Sequence, residues 1–243
     1  MEIKMPVSYY KGSDGSSMTE TRCAQTVLLY GMLMAMPDEP ITYKEIQLEA
    51  ERQKLFGETK AQSAIRTFFP LLVKLGFTQV YDNIKPKNVF TKEGVDFVIA
   101  VTALQKAGHI DDNDIKNGLI KIYQTLLQRG LVHWFNYGSE KEHNIWLALD
   151  LFGKLEVLDW GEFLYAVFLW HKSVNLDDII REIILNRNNG ITYSFTNTEG
   201  EKLPSTSYCY IRALLEEAGI IEKINTGTDK VTIDGINFIN NFE

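Results

Sequence analysis

Cysteine is nearly missing from this chain of 243 residues: two occur, Cys23 and Cys209, each inside a segment that reads as helix. A disulfide framework is therefore excluded as the source of stability, and a reducing, cytoplasmic setting is expected. Long apolar runs are lacking as well. The longest, Val27 to Met36, reaches about half of the roughly 20 residues that a membrane-spanning helix needs. The N-terminus has no basic segment leading into an apolar core, so neither export nor a membrane partner is expected. Positive charge is in deficit too, with 25 Lys and Arg against 32 Asp and Glu and a net charge of −7. That excludes adhesion to nucleic acid over the whole surface, because phosphate contacts supply most sequence-independent affinity. A local basic patch on an acidic body remains compatible with specific binding.

Motifs for chemistry are scarce. The four histidines, His109, His133, His143 and His171, are scattered without metal-ligand spacing, and two adjoin tryptophans, which suits packing or surface roles. Asp111-Asp-Asn-Asp114 lacks the glycine and terminal glutamate of a calcium loop and reads as a helix cap or solvated turn. There is no phosphate-cradling glycine loop and no Gly-x-Ser-x-Gly elbow. Asp38, Glu58 and Lys60 have the letters of a metal-dependent nuclease set. They fall on a helix end and a helix start rather than on adjacent strands, so the match reads as chance. No catalytic residue, metal or cofactor is assigned.

What is present is the composition of an ordinary globular protein, 45% hydrophobic and 23% charged, long enough for two or three small modules. Residues 1–17 are Ser- and Gly-rich, with Lys11-Gly-Ser-Asp-Gly-Ser-Ser17, and read as a flexible tail. A helix capped by Thr19 or Thr21 follows and stops before Pro37. Thr42 with Glu45 has capping-box spacing and opens a second helix to about Leu55. A third runs from about Thr59 to the stop at Gly76, with Pro70 expected to kink or split it. Alternation in Phe77–Tyr81 and Val89–Thr91 around a polar turn reads as a hairpin, and Lys92–Leu104 returns to helix. In the middle, a helix ended by Gly130 is expected to give way to a strand over Leu131–Phe135. From Asp159 the pattern is clear again: helices over Phe163–Trp170 and from Leu176, capped by Asn175, to about Leu185. A loop or short strand pair spans Asn186–Pro204. A helix then starts at Ser205 or Thr206 and ends at Gly219, before a hairpin over Ile220–Ile224 and Lys230–Ile233.

The two ends resemble each other. Ala64-Ile-Arg66 stands against Tyr210-Ile-Arg212, Leu75-Gly-Phe77 against Ala218-Gly-Ile220, and Glu93-Gly-Val-Asp-Phe-Val98 against Asp234-Gly-Ile-Asn-Phe-Ile239. Fixed self-similarity of this kind marks a duplicated structural unit. The order of three helices, a hairpin and a Thr-x-x-Gly step into a closing helix resembles the winged-helix DNA-binding superfamily. The tandem arrangement is similar to the recognition regions of type IIS restriction endonucleases, and also to plasmid replication initiators and transcription regulators. The expected fold is mainly α with small β-hairpins: a tail (1–17), a first winged-helix module (18–106), a middle helical segment or degenerate module (107–158) and a second module (159–243).

The resemblance implies double-stranded DNA as partner, read by the N-terminal part of each third helix and by each wing. In the first copy these positions are Thr59, Lys60, Gln62, Ser63 and Arg66, with Lys85, Lys87 and Asn88 in the wing. In the second they are Ser205, Thr206, Ser207, Tyr208 and Arg212, with Thr226, Thr228 and Lys230. The same residues also suit solvated faces, and Arg66 and Arg212 suit structural ion pairs. Winged helices serve as protein-interaction modules too, so a scaffold binding another protein or a second copy of itself is the rival reading, and a nuclease component a weaker one.

Overall fold

The computed structural model describes residues 2–6, 17–57, 59–79, 83–108, 112–137, 144–196 and 206–241. The chain divides into two compact units: a first, Gly15–Gly138, and a second, made of Ser139–Glu243 together with Met1–Asp14. Helices dominate both, accompanied among the described residues by a three-stranded antiparallel sheet and a two-stranded parallel pair.

In the first unit, α1 (Glu20–Ala35) begins at Thr19, whose side chain accepts a hydrogen bond from the Arg22 amide. Ile41 then pairs with Ile84 in an antiparallel bridge, N–H to O 2.9 Å one way and 3.2 Å the other. Thr42 and Glu45 close the expected capping box at the head of α2 (Tyr43–Arg52). Next comes α3 (Ala61–Lys74), which buries Ala64, Ile65, Phe68, Phe69, Leu71 and Leu72 on one side. A single turn of 3₁₀-helix, Pro86–Asn88, precedes α4 (Lys92–Ala107), and the 25-residue α5 (Asn113–Tyr137) lies across α4 and α3. The core between them is aromatic. Phe77 stacks on Phe97 with centroids 4.5 Å apart, and Tyr123 of α5 stands 5.7 Å beyond.

The second unit starts with α6 (Asn144–Leu155), β2 (Val157–Asp159) and α7 (Trp160–His171). Asp159 and Glu162 form a capping box there. After α8 (Leu176–Asn188) and β3 (Thr192–Thr196) come α9 (Thr206–Glu217), β4 (Ile221–Asn225), β5 (Thr228–Val231) and α10 (Ile233–Asn240). The sheet order is β2-β5-β4, antiparallel throughout.

Both units repeat one construction. Helices α3 and α9 each end in a left-handed glycine, Gly76 at φ 71° and Gly219 at φ 69°. The amide after it reaches back to the helix, Phe77 N to Leu72 O at 2.8 Å and Ile220 N to Leu215 O at 2.9 Å. This is the double-bonded C-terminal cap in which glycine satisfies two orphan carbonyls. A threonine then welds the corner to the closing helix. Thr91 Oγ1 donates to Gly76 O (2.7 Å) and accepts from Gly94 N (3.0 Å). Thr232 does the same to Gly219 O (2.7 Å) and Gly235 N (2.9 Å). The repeat extends upstream of the sequence similarity, because Ile41 and Leu158 hold matching strand positions, each directly before a capping box. Helices α1, α2, α3 and α4 thus correspond to α6, α7, α9 and α10, while α8 and β3 are an insertion with no counterpart among the described residues of the first unit.

Several sequence expectations are corrected. Leu131–Phe135 is helix, not strand: Gly130 is buried within α5 against Leu75, and Leu127, Leu131 and Trp134 continue its buried helical stripe. The glycine marks a close approach, not a stop. The middle segment is divided, with α5 in the first unit and α6 in the second, so the second repeat begins before Asp159. Glu2–Pro6 is not a free tail but β1, paired in parallel with β3 from Glu2 against Thr192 to Pro6 against Thr196. Of the expected first hairpin, Val80 and Tyr81 lie outside the described residues; the described part pairs antiparallel, Gln79 N to Val89 O at 2.9 Å and Thr91 N to Phe77 O at 3.0 Å, with bridges Thr78–Phe90 and Ile41–Ile84 and a 3₁₀ turn between. Pro70 lies inside α3, which runs from Ala61 to Lys74, so it does not split the helix.

The closing helices come so near the corners that a β-carbon at Gly94 would overlap the carbonyl oxygen of Phe77, and one at Gly235 that of Ile220. Gly94→Ala and Gly235→Ala are each expected to destabilise the protein by about 2 kcal/mol or more, as overpacking against backbone does. Urea denaturation with hydrogen exchange checks this, the first substitution loosening amides of the first unit and the second those of the second.

Candidate nucleic-acid interface

The side of α3 opposite its buried stripe is polar. Thr59, Lys60, Ser63, Arg66 and Thr67 are all exposed, at the three- and four-residue spacing that places side chains along one helical face. Gln62 is half-buried, and its amide donates to Glu51 Oε2 of α2 at 3.1 Å, which supplies an acceptor and a favourable negative charge at the N-terminus of α3. The Arg66 guanidinium makes no ion pair or hydrogen bond among the described residues. Lys85, Lys87 and Asn88 are exposed at the 3₁₀ turn. Lys85 Nζ lies 3.0 Å from Asp38 Oδ2, both side chains about half exposed, and this contact holds the Asp38 carboxyl below its ordinary value. Exposed pairs of this kind are weak, on the order of 1 kcal/mol or less, so the lysine is readily released to another anion.

The second unit is built differently at the matching places. Counting back from the corner glycines, Phe68, Leu71 and Leu72 match Ile211, Leu214 and Leu215, all buried. In this register Arg66 matches the exposed Cys209, and Arg212 matches Phe69. The sequence pairing of Ile65-Arg66 with Ile211-Arg212 is therefore displaced by one helical turn. Arg212 points inward: its Nε lies 2.8 Å from Asp229 of β5, with the two side chains 17% and 1% exposed. It ties α9 to the hairpin and is not offered to a ligand. Sequence reasoning named the arginine without its partner, since Asp229 lies in a stretch that reads as turn. Thr228 is half-buried at the start of β5, and Lys230 is paired with Glu222 at 2.9 Å. Thr206, Ser207 and Tyr208 open α9 in the backbone, and their side chains lie outside the described residues, as does Ser205 altogether.

A second polar region lies within the second unit, where Asp159, Trp160 and Gly161 of the α7 start, Ile191–Tyr193 and Thr226–Thr228 line a cleft of about 280 Å³. Its walls are internally bonded. Arg187 of α8 holds Glu162 at 2.6 Å and donates to Val157 O at 2.6 Å; Asn186 donates to the Tyr193 hydroxyl at 3.0 Å, and Tyr165 to Glu182. Burial keeps the Asp159 carboxyl above its ordinary value. These groups fasten the inserted α8 and β3 to the sheet. Among the described residues no cluster of His, Cys, Asp or Glu could hold a metal ion, and Glu58 of the nuclease-like set lies outside them. No protein-family model matches the chain, and comparison with curated proteins and with solved structures gives no match.

The two arginines should separate cleanly on substitution. Asp229→Ala leaves Arg212 buried without its counter-charge and is expected to cost about 3 kcal/mol. Arg66→Ala is expected to stay within about 0.5 kcal/mol of wild type, as surface substitutions do. Urea midpoints at constant slope measure both; equal losses would mean that Arg66 is structural as well.

Proposed function

We propose that the chain binds double-stranded DNA sequence-specifically, each repeat being a winged-helix module and α3 of the first unit entering the major groove. The observation that carries this reading is the exposed face of α3. It sets Lys60, Ser63 and the unpaired Arg66 on a helix whose opposite side is fully buried and whose C-terminus is locked by the Gly76 corner. A helix anchored in this way presents base-reading groups without losing order on binding. Lys85 and Lys87 lie on the adjacent wing as phosphate ligands, and the acidic remainder of the chain limits wandering over unrelated DNA. A regulator, a replication initiator and the recognition part of a restriction system all fit this reading, as does a cytoplasmic setting.

One observation favours the rival scaffold reading. The described surface of α9 and its hairpin offers Cys209, Tyr210, Glu216 and Ile224, a mixture of apolar and acidic groups suited to a protein partner or a second copy of the chain.

Selection of the purified full chain on a random duplex-DNA pool decides between them. The expected result is an enriched motif whose affinity falls about a hundredfold between roughly 50 and 200 mM salt, as some four phosphate contacts require. No retention at the lower salt would leave the modules as protein-binding surfaces.

A further inference from the structure

A duplicated DNA-binding module suggests a duplicated target, two copies of one half-site. The chain departs from that expectation at the level of single side chains. We infer that the repeat is asymmetric in function: α3 alone reads bases, with Arg66 pairing a guanine, and the second unit contributes at most phosphate contacts. This inference rests on the DNA-binding reading above and specifies its ligand.

Three features carry it. The first is the register set by the corner glycines, which places the exposed Cys209 where the first unit has Arg66. A thiol cannot make the two parallel N–H bonds to guanine O6 and N7 that a guanidinium makes. The second is the fate of the arginine that α9 does possess. It takes the place of Phe69, which in the first unit packs on Tyr43 with centroids 5.1 Å apart. There it is engaged by Asp229, which stands where the first unit has the exposed Asn88. In the second unit an ion pair to the hairpin therefore stands where the first unit has an aromatic contact between α3 and α2, and the guanidinium is used up in doing so.

The third feature is what else the second unit offers. By residue type, Thr206, Ser207 and Tyr208 of α9 carry hydroxyls, which donate or accept toward any base and toward phosphate alike and discriminate poorly. In the hairpin Lys230 is paired with Glu222 and Asp229 is taken by Arg212, which leaves Lys223 as the exposed cation without an ion pair among the described residues. The first unit offers more: Lys60, Arg66 and Lys87 are exposed and make no ion pair among the described residues. The site that this chain prefers is accordingly one compact core with a guanine at its centre, without a second copy in direct or inverted orientation.

The test is duplex-pool selection followed by affinity measurement for the full chain and three variants, Arg66→Ala, Arg66→Lys and the triple Thr206→Ala, Ser207→Ala, Tyr208→Ala, each checked for wild-type circular dichroism and melting. The expected outcome is a single guanine-containing core in the wild type. Arg66→Ala should lose preference at one position and weaken binding to the core about ten- to a hundredfold, while binding to random duplex changes little. Arg66→Lys keeps the charge but not the fork and should weaken the same preference. The triple variant should select the wild-type core. A target with two copies of one motif, an unchanged motif in Arg66→Ala, or a position lost in the triple variant would each overturn the asymmetry and leave DNA binding standing. Absence of binding by the wild type would remove both readings together.

Discussion

In each unit one threonine hydroxyl is bonded twice to backbone, donating to the carbonyl of the corner glycine and accepting from the first turn of the closing helix. The remaining geometry hangs on this junction. It fixes where the preceding helix, α3 or α9, stops and how the chain returns, and it seats the closing helix so close to the corner that only glycine fits at the third position after the threonine. A hydroxyl is suited to the task because it is both donor and acceptor and satisfies two buried backbone groups that would otherwise be costly to desolvate. Valine, with the same shape, would offer neither bond.

Around that shared junction the units stabilise themselves by different means. The first is closed by stacked aromatics, with α5 laid across α4 so that Phe77, Phe97 and Tyr123 form a continuous ring contact. The second adds ion pairs at other places, Arg212 with Asp229 between α9 and the hairpin and Arg187 with Glu162 between α8 and α7. Buried pairs add little net stability compared with apolar packing, yet removing one partner is expensive. The second unit thus trades packing energy for a geometry that tolerates few alternatives, and its arginines are committed to structure in consequence.

Much of this was legible in the sequence where the signals are local. Thr19, Thr42 and Asn175 cap helices as their chemistry suggests, and Gly76 and Gly219 end them in the left-handed conformation. The Thr-x-x-Gly step was visible as a repeat because both of its residues are dictated by backbone contacts a few residues away. What escaped depends on distant partners. Gly130 looks like a terminator, and only its proximity to Leu75 explains why helix continues through it. The strand nature of Glu2–Pro6 is invisible without Thr192–Thr196. The arginines illustrate the limit for the site: identical dipeptides, Ile65-Arg66 and Ile211-Arg212, lie one turn apart in register, and only the aspartate across the hairpin distinguishes a free guanidinium from a bound one.

The pairing of β1 with β3 has a bearing on the order in which the molecule assembles. The strand closest to the N-terminus finds its partner after about 190 residues of intervening chain, so closing that loop is entropically remote compared with any contact inside Gly15–Gly138. On a ribosome, where segments emerge in sequence, the first unit can complete its aromatic core before Thr192 has been made. The waiting strand meanwhile presents open amides and carbonyls until the inserted segment that receives it, which packs on α7, has been made. Completion of the second unit is thereby linked to synthesis of nearly the whole chain.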